Sequence, residues 1–301
     1  MTSPEFADTA AESARDALEQ TIGQNYIASV GLETHLHYIA AADESLTKCG
    51  DVIATVREHE QRASAHLQQA SDVVGDRSAV TDHLLRARGS IDKAYSGCSD
   101  LFYANARKAQ AACASSVETV ERVGRANRYA ASALDTTRTH LSAVQQGTTP
   151  ETTERTELDE AATTSQLAVA DLEAVKGSVA KLATWDPGAS VVAAIESFQS
   201  KISLPLGILH ASIGETLGTL RRMGEAPDTY NPTIISAAIG DLATRLTTII
   251  EQTDPRIAAL KDEEQCMIAR DVAYKAAEEA DKKLRGVAAA LDRAEAIPRT
   301  N

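Results

Sequence analysis

The amino-acid sequence predicts an all-α fold: an elongated three-helix bundle with a small helical head inserted before the last long helix. Apolar residues recur at steps of 3, 4 or 7 over a first long stretch, a second long stretch has an apolar seam of its own, and a short turn signal separates the two. Aromatic residues make up only 4% of the 301 residues. Because a thick globular core relies on large aromatic side chains, this composition favours a thin bundle filled by Ala, Leu and Val.

The first long helix is predicted over residues 7–74. At about 1.5 Å per residue it would be roughly 100 Å long, which is more typical of a rod, a spacer or a receptor than of an enzyme. The apolar residues that recur along one face of this helix form its seam, which consists of Leu32, Leu36, Ile39, Leu46, Cys49, Ile53, Val56, Ala63, Leu67, Ala70 and Val74.

A second long helix is predicted over residues 79–146. The segment 75–78 supplies a glycine C-cap, turn-forming residues and an N-cap candidate, so the two helices should be antiparallel. The seam of the second helix consists of Leu84, Ile91, Ala94, Cys98, Leu101, Ala109, Ala112, Val120, Val123, Asn127, Leu134, Leu141 and Val144.

The next stretch, 148–253, has shorter helical patterns interrupted by proline and glycine. We expect helices over 153–183, 189–201 and 206–223 that fold back as a compact head, followed by a helix over 232–252. Asp254 and Pro255 have the pattern of an N-cap followed by proline at the first helical position, which indicates a helix restart or a kink. A last long helix is predicted over 255–297. The whole chain is expected to be one elongated domain.

The four cysteines all lie on the predicted long helices. Counting back from Val74 and forward from Ser78 sets Cys49 opposite about residue 103, nearer to Cys98 than to Cys113. Counting back from Ile297 sets Cys266 level with about residue 109, nearest to Cys113. We therefore predict Cys49–Cys98 and Cys113–Cys266 disulfides and an oxidising compartment. The alternative is four reduced cysteines that serve as small seam residues.

The net charge and the sequence motifs argue against several classes of function. The formal net charge is −13, and no basic run with interleaved aromatic residues occurs, so nucleic acid and anionic membranes are not expected partners. We find neither a leader nor an uninterrupted apolar stretch long enough to span a bilayer, and we expect the chain to be soluble as given. His35 and His37 point about 200° apart on a helix and cannot share a metal ion. No enzyme motif, metal site or cofactor is predicted.

One face of the first helix is a candidate binding surface, because Glu33 is the only charged residue between residues 25 and 42. This face lies roughly 120–180° from the seam at about 100° per residue, and apolar outer faces tend to mark partner surfaces. Alternatively, the middle segment or the last helix packs over it. Its residues are Tyr26, Ile27, Val30, His37, Tyr38 and Ala41.

A second set of candidates lies near the same level on the second helix: Arg125, Asn127, Arg128 and Tyr129. The alternative for this set is an ordinary solvated face, with Asn127 as a polar seam position.

Three long helices, a small head inserted before the last one, Ala/Thr/Glu-rich seams and two predicted disulfides together resemble the helical-bundle surface proteins of African trypanosomes. That group includes the haptoglobin-haemoglobin receptor, the invariant surface glycoproteins and the variant surface glycoprotein N-terminal domains. The hairpin with a head and a return helix is most similar to the haptoglobin-haemoglobin receptor.

The resemblance implies a non-enzymatic cell-surface receptor that binds a host serum protein, haptoglobin-haemoglobin or haemoglobin, for haem or iron uptake by endocytosis. It also implies residence on the plasma membrane or in the flagellar pocket, with membrane contact only through a lipid anchor that we do not expect within the given sequence. One alternative is an invariant surface glycoprotein or coat protein that binds complement or shields the membrane. Another is an intracellular helical scaffold, which four free thiols would favour.

Overall fold

A computed structural model describes residues 4–147, 153–183, 187–225 and 229–261. These residues form seven α-helices, and no β-strand occurs among them, so the all-α prediction is confirmed. The helices are α1 (Pro4–Asp72), α2 (Arg77–Ser96), α3 (Tyr103–Gly147), α4 (Thr153–Ala183), α5 (Pro187–Phe198), α6 (Leu204–Glu225) and α7 (Pro232–Lys261). Two π-helical turns, Gly97–Phe102 and Gln199–Ser203, join α2 to α3 and α5 to α6.

The chain divides into two compact units. In the part that the structure describes, the first unit contains α1 up to Ala40, α3 from Cys113, and α4. The second contains the remainder of α1, α2, the beginning of α3 up to Ala112, and α5, α6 and α7. The head predicted over 148–253 is therefore not a single body, because α4 belongs to one unit and α5–α7 belong to the other.

The first unit places α1, α3 and α4 around one apolar core. Among the described residues, the helix that packs with α1 and α3 in this unit is α4, which carries its own apolar stripe. That stripe repeats at steps of 4 and 3, as expected for one face of a helix. Its buried members are Ala168, Leu172, Val175, Val179 and Leu182.

Close contact between α1 and α3 in this unit depends on Gly31. A Cβ atom at this position would lie 2.5 Å from Cγ2 of Val123, which is inside van der Waals contact. A glycine is therefore needed here for steric reasons, although it weakens an isolated helix by about 1 kcal/mol relative to alanine.

The second unit buries a separate apolar core drawn from α1, α2, α6 and α7. The Phe102 and Phe198 rings stack within it at a centroid distance of 3.8 Å. The stretch Pro232–Thr253 of α7 is long and apolar enough to cross a membrane by length and composition, which differs from the expectation of no such stretch. Five of its apolar residues are buried in this core: Ile235, Ile239, Leu242, Leu246 and Ile249.

The turn between α1 and α2 is capped by Asp76. Its carboxylate accepts hydrogen bonds from the backbone N–H groups of Ser78 and Ala79, at 2.9 and 3.2 Å. These bonds satisfy two of the N–H groups that a helix N-terminus leaves unpaired. Gly75 does not have a positive φ, so the turn forms without a left-handed glycine.

The predicted second helix is interrupted by the π-helical turn Gly97–Phe102. A π-helical turn contains more residues than an α-helical turn, so it moves the core-facing position along the chain. Leu101, which the heptad pattern places in the seam, is exposed, and Phe102 is buried in its place.

Pro255 lies inside α7, which continues to Lys261, so of the two predictions for this position the helix restart is wrong. The missing N–H of Pro255 removes one helical hydrogen bond. Packing holds the helix before that point, since Ile249 is in the core and the buried Thr253 hydroxyl donates to Glu60 at 3.0 Å. Residues 262–297 of the predicted last helix lie outside the described residues.

Cys49 and Cys98 are free buried thiols, so the predicted disulfide between them is absent. The Cys49 thiol donates to the Phe102 carbonyl at 3.7 Å, and Gly97 lies level with Val56. These contacts offset Cys98 from Cys49 by roughly 6–9 Å along the helix axis at about 1.5 Å per residue. Added to the spacing between helices, this offset exceeds the Cα separation that a disulfide allows. Cys113 is buried, and Cys266 lies outside the described residues, so the Cys113–Cys266 pair stays a prediction.

Substitution of Gly31 by alanine should destabilise the protein. The steric clash between the added Cβ and Val123 should lower the free energy of unfolding by about 1–3 kcal/mol. The higher helix propensity of alanine should raise it by only about 1 kcal/mol. Gly50→Ala is the matched control, since a Cβ there meets nothing within 4 Å and should stabilise α1. Urea unfolding of both variants measures the difference, and equal stability would contradict the close approach at Gly31.

Cys49 and Cys98 should resist alkylation in the folded protein. Burial raises the pKa of Cys49 to about 11, and burial together with the Glu60 charge raises the pKa of Cys98 to about 12. Both thiols are therefore protonated at pH 8 and react poorly. Iodoacetamide without reductant should label both only after unfolding in urea, as read by peptide mass spectrometry. A cross-linked Cys49–Cys98 peptide would restore the disulfide prediction.

Candidate functional site

The outer face of α1 in the first unit exposes large apolar side chains. Tyr26 is 69% exposed, Ile27 43% and Val30 42%, so α4 of the middle segment does not cover them. His37 is exposed and Tyr38 is half-buried, and their rings lie 6.0 Å apart between centroids. We call the residues Tyr26, Ile27, Val30, His37 and Tyr38 the α1 face. Ala41 is half-buried and belongs to the second unit, so the α1 face does not include it.

The four candidates on α3 separate into two groups. Tyr129 is 65% exposed and, from the contact between Gly31 and Val123, lies at the level of the beginning of the α1 face. Arg125, Asn127 and Arg128 instead line a cavity toward α4. The structure therefore does not bring these three together with Tyr129 in one surface.

Asn127 is a buried seam residue and not part of a solvated face. Its side-chain Nδ2 donates to the backbone carbonyl of Leu172 on α4, at 3.1 Å. This bond uses a carbonyl that is already paired within α4 and ties the two helices together. The prediction that Asn127 occupies a polar seam position is consistent with this contact.

The cavity in the first unit has a volume of about 440 Å³. Side chains from α1, α3 and α4 line it, with Arg125, Arg128, Lys176 and Glu121 as the charged members. Arg125 lies 3.7 Å from Glu121, one turn away on α3. Lys176 lies 3.2 Å from Glu173, one turn away on α4. Positive charge thus predominates at this cavity in a chain whose formal net charge is −13.

His35 is fully buried at the wall of the same cavity, where its Nδ1 lies 2.8 Å from the hydroxyl oxygen of Ser116. Burial lowers the pKa of His35, and the hydrogen bond with Ser116 acts in the opposite direction. The imidazole is therefore neutral near pH 7 and forms a polar cross-link between α1 and α3. His37 lies on the exposed side of α1, as the helical geometry predicts.

No group of three or more His, Cys, Asp or Glu side chains that could hold a metal ion occurs within the described ranges. Sequence reasoning missed the His35–Ser116 pair and the contribution of Lys176 to the cavity. The signal for the pair was present, although the predicted seams omit both residues. His35 lies 3 residues after Leu32, and Ser116 lies 4 residues after Ala112, at seam spacing where a polar side chain needs a partner. Nothing in the sequence identified α4 as the wall opposite Arg128.

Folding stability should fall as the pH is lowered through the range in which His35 titrates. The pKa of His35 in the folded state lies below the unfolded value of about 6.5, so the unfolded chain binds the proton first. Stability present above pH 6.5 is therefore lost as the pH falls from that value towards the folded-state pKa.

Thermal unfolding at pH 7.5 and pH 5.5 measures this effect. His35→Gln should show a smaller drop in Tm between the two pH values than the wild type, whereas His37→Gln, on the exposed side of α1, should retain the wild-type drop. Equal drops in His35→Gln and the wild type would exclude His35 as the source.

Comparison of the chain with protein-family models, curated proteins and solved structures found no match.

Proposed function

We propose that this chain is a non-enzymatic binding protein that captures a folded protein ligand through the α1 face of its first unit. The observation that carries the proposal is the exposure of Tyr26, Ile27 and Val30 on adjacent turns of one helix. Exposed large apolar side chains also occur in the second unit, as at Leu204 and Ile208 of α6. Other exposed positions on the described helices are commonly charged and form pairs between successive turns, such as Lys48 with Glu44 and Arg86 with Asp82.

The chemistry of the α1 face suits a protein partner. Tyrosine combines a large apolar ring with a polar hydroxyl, and exposed Tyr26 and Tyr38 fit the enrichment of tyrosine in protein interfaces. Removing apolar surface from water contributes about 25 cal/mol per Å², and the face has few charges to desolvate. A helix that offers its outer residues to a partner is one of the recurring modes of protein recognition.

The ligand class follows from the resemblance to trypanosome surface receptors. On that basis we propose a host serum protein, haptoglobin-haemoglobin or haemoglobin, as the ligand, and endocytic uptake of haem or iron as the role. The same resemblance makes a lipid-anchored protein of the plasma membrane or flagellar pocket the proposed location. Complement binding or shielding, as in an invariant surface glycoprotein or coat protein, is the alternative within the same class.

A second candidate function is an intracellular helical scaffold. The free thiols of Cys49 and Cys98 favour it, because buried reduced cysteines are usual in reducing compartments. A scaffold would use the same α1 face for an intracellular partner. Testing defined serum ligands therefore separates the two candidates.

Binding of purified haptoglobin-haemoglobin, haemoglobin and complement to the immobilised full chain should be measured by biolayer interferometry. We expect wild type to bind the first or second, and Val30→Glu to weaken that binding by at least about 30-fold, as for a central interface residue.

Leu85→Glu is the matched control, since it also places a carboxylate at an exposed apolar position, but in the second unit. It should bind like wild type, and circular dichroism should show equal helicity in all three proteins. Binding of complement alone would favour the coat-protein alternative, and no binding of any serum ligand would favour the scaffold. Undiminished binding by Val30→Glu would exclude the α1 face.

A further inference from the structure

The cavity of the first unit has the size of a small-molecule site. Its volume of about 440 Å³ lies within the range typical of ligand pockets. Val117 and Val120 of α3 and Val179 and Leu182 of α4 contribute apolar side chains to its wall. These side chains would contact the apolar body of a ligand, whose transfer from water is favourable.

Arg128 supplies a cation at this cavity. Its guanidinium folds back along α3, so that Nη1 lies 3.9 Å from the position of a Cβ on Gly124, which also lines the cavity. Arg125 and Lys176 each lie beside a carboxylate. Within the described ranges no carboxylate lies within ion-pair distance of Arg128, and its planar guanidinium suits a carboxylate or sulfonate.

Asn127 adds a second, independent observation. The side chain is only 3% exposed and lines the cavity, and its Nδ2 donates to the Leu172 carbonyl. Its Oδ1 is buried and has no hydrogen-bond partner in the part of the chain that the structure describes. Buried acceptors are rarely left without a donor, so an O–H or N–H group is expected here when the site is filled.

We propose that this cavity binds an amphipathic organic anion that carries a hydrogen-bond donor. The apolar body would contact the valines and Leu182, the anionic group would pair with Arg128, and the donor would bond to Asn127 Oδ1. The site uses α3 and α4, not the α1 face, so it does not rest on the proposed protein-binding function. Failure of either proposal leaves the other standing.

The fluorescent probe 2-anilinonaphthalene-6-sulfonate has all three features: apolar rings, a sulfonate and an N–H donor. Two analogues test the features separately, because N-phenyl-2-naphthylamine lacks the sulfonate and the N-methyl derivative of the probe lacks the donor. Titration of the full chain should give a saturable fluorescence increase with one site per chain. The N-methyl derivative should bind about 5-fold more weakly, as for loss of one hydrogen bond.

Arg128→Ala should weaken binding of the sulfonate probe by about 10-fold and leave the neutral analogue within about 2-fold, because the lost interaction is an ion pair. Arg107→Ala, at an exposed arginine of α3 that belongs to the second unit, is the matched control and should bind as wild type does. Ala180→Trp places a large side chain at an exposed cavity position and should abolish binding of both molecules.

Circular dichroism and the Tm should remain unchanged in the three variants, which excludes unfolding as the cause. Unsaturable probe fluorescence would overturn the proposal, as would wild-type affinity in Arg128→Ala or Ala180→Trp. Equal affinity for the probe and its N-methyl derivative would overturn the assignment of a donor to Asn127.

Discussion

The antiparallel register of α1 against α2, the π-helical turn Gly97–Phe102 and α3 determines which side chains meet in each compact unit. Two hydrogen bonds to the Asp76 carboxylate fix the turn from which this register is counted. In the first unit the register sets His35 beside Ser116, and in the second it sets Cys49 beside the Phe102 carbonyl. The remaining helices pack on surfaces that this pairing creates, so a shift of one residue would replace buried apolar positions by exposed ones.

Much of this register was predictable from the sequence. Counting from the turn places residue 103 opposite Cys49 and residue 117 opposite His35, each one residue from the partner that the structure shows. The bounds of α4 also agree with the helical pattern, since loop-forming residues flank a long amphipathic stretch. The π-helical turn was not predictable from a heptad rule, because such a rule assumes a constant number of residues per turn. Leu101 and Phe102 exchange roles for that reason.

The sequence predicts the α1 face better than it predicts the cavity. A charge-free outer stripe is a local property of one helix, and Tyr26 and Val30 are exposed as that stripe predicts. The cavity requires a third helix at a given angle and distance, and periodicity shows that α4 has an apolar face without showing where it packs. Lys176 therefore reaches the cavity beside Arg128 only through tertiary structure. Arg125, Asn127, Arg128 and Tyr129 look like one group in the sequence. In the structure the first three line the cavity, whereas Tyr129 is exposed to solvent.

Phe102 is the last residue of the π-helical segment after α2, and its ring stacks on that of Phe198, which directly precedes the π-helical segment before α6. A π-helical turn is equivalent to the insertion of one residue into an α-helix. Loss of one inserted residue alone would rotate its phenylalanine away from the other ring and leave the stack incomplete. Across evolution, these two insertions are thus expected to be gained or lost together, as paired single-residue gaps in distant parts of an alignment.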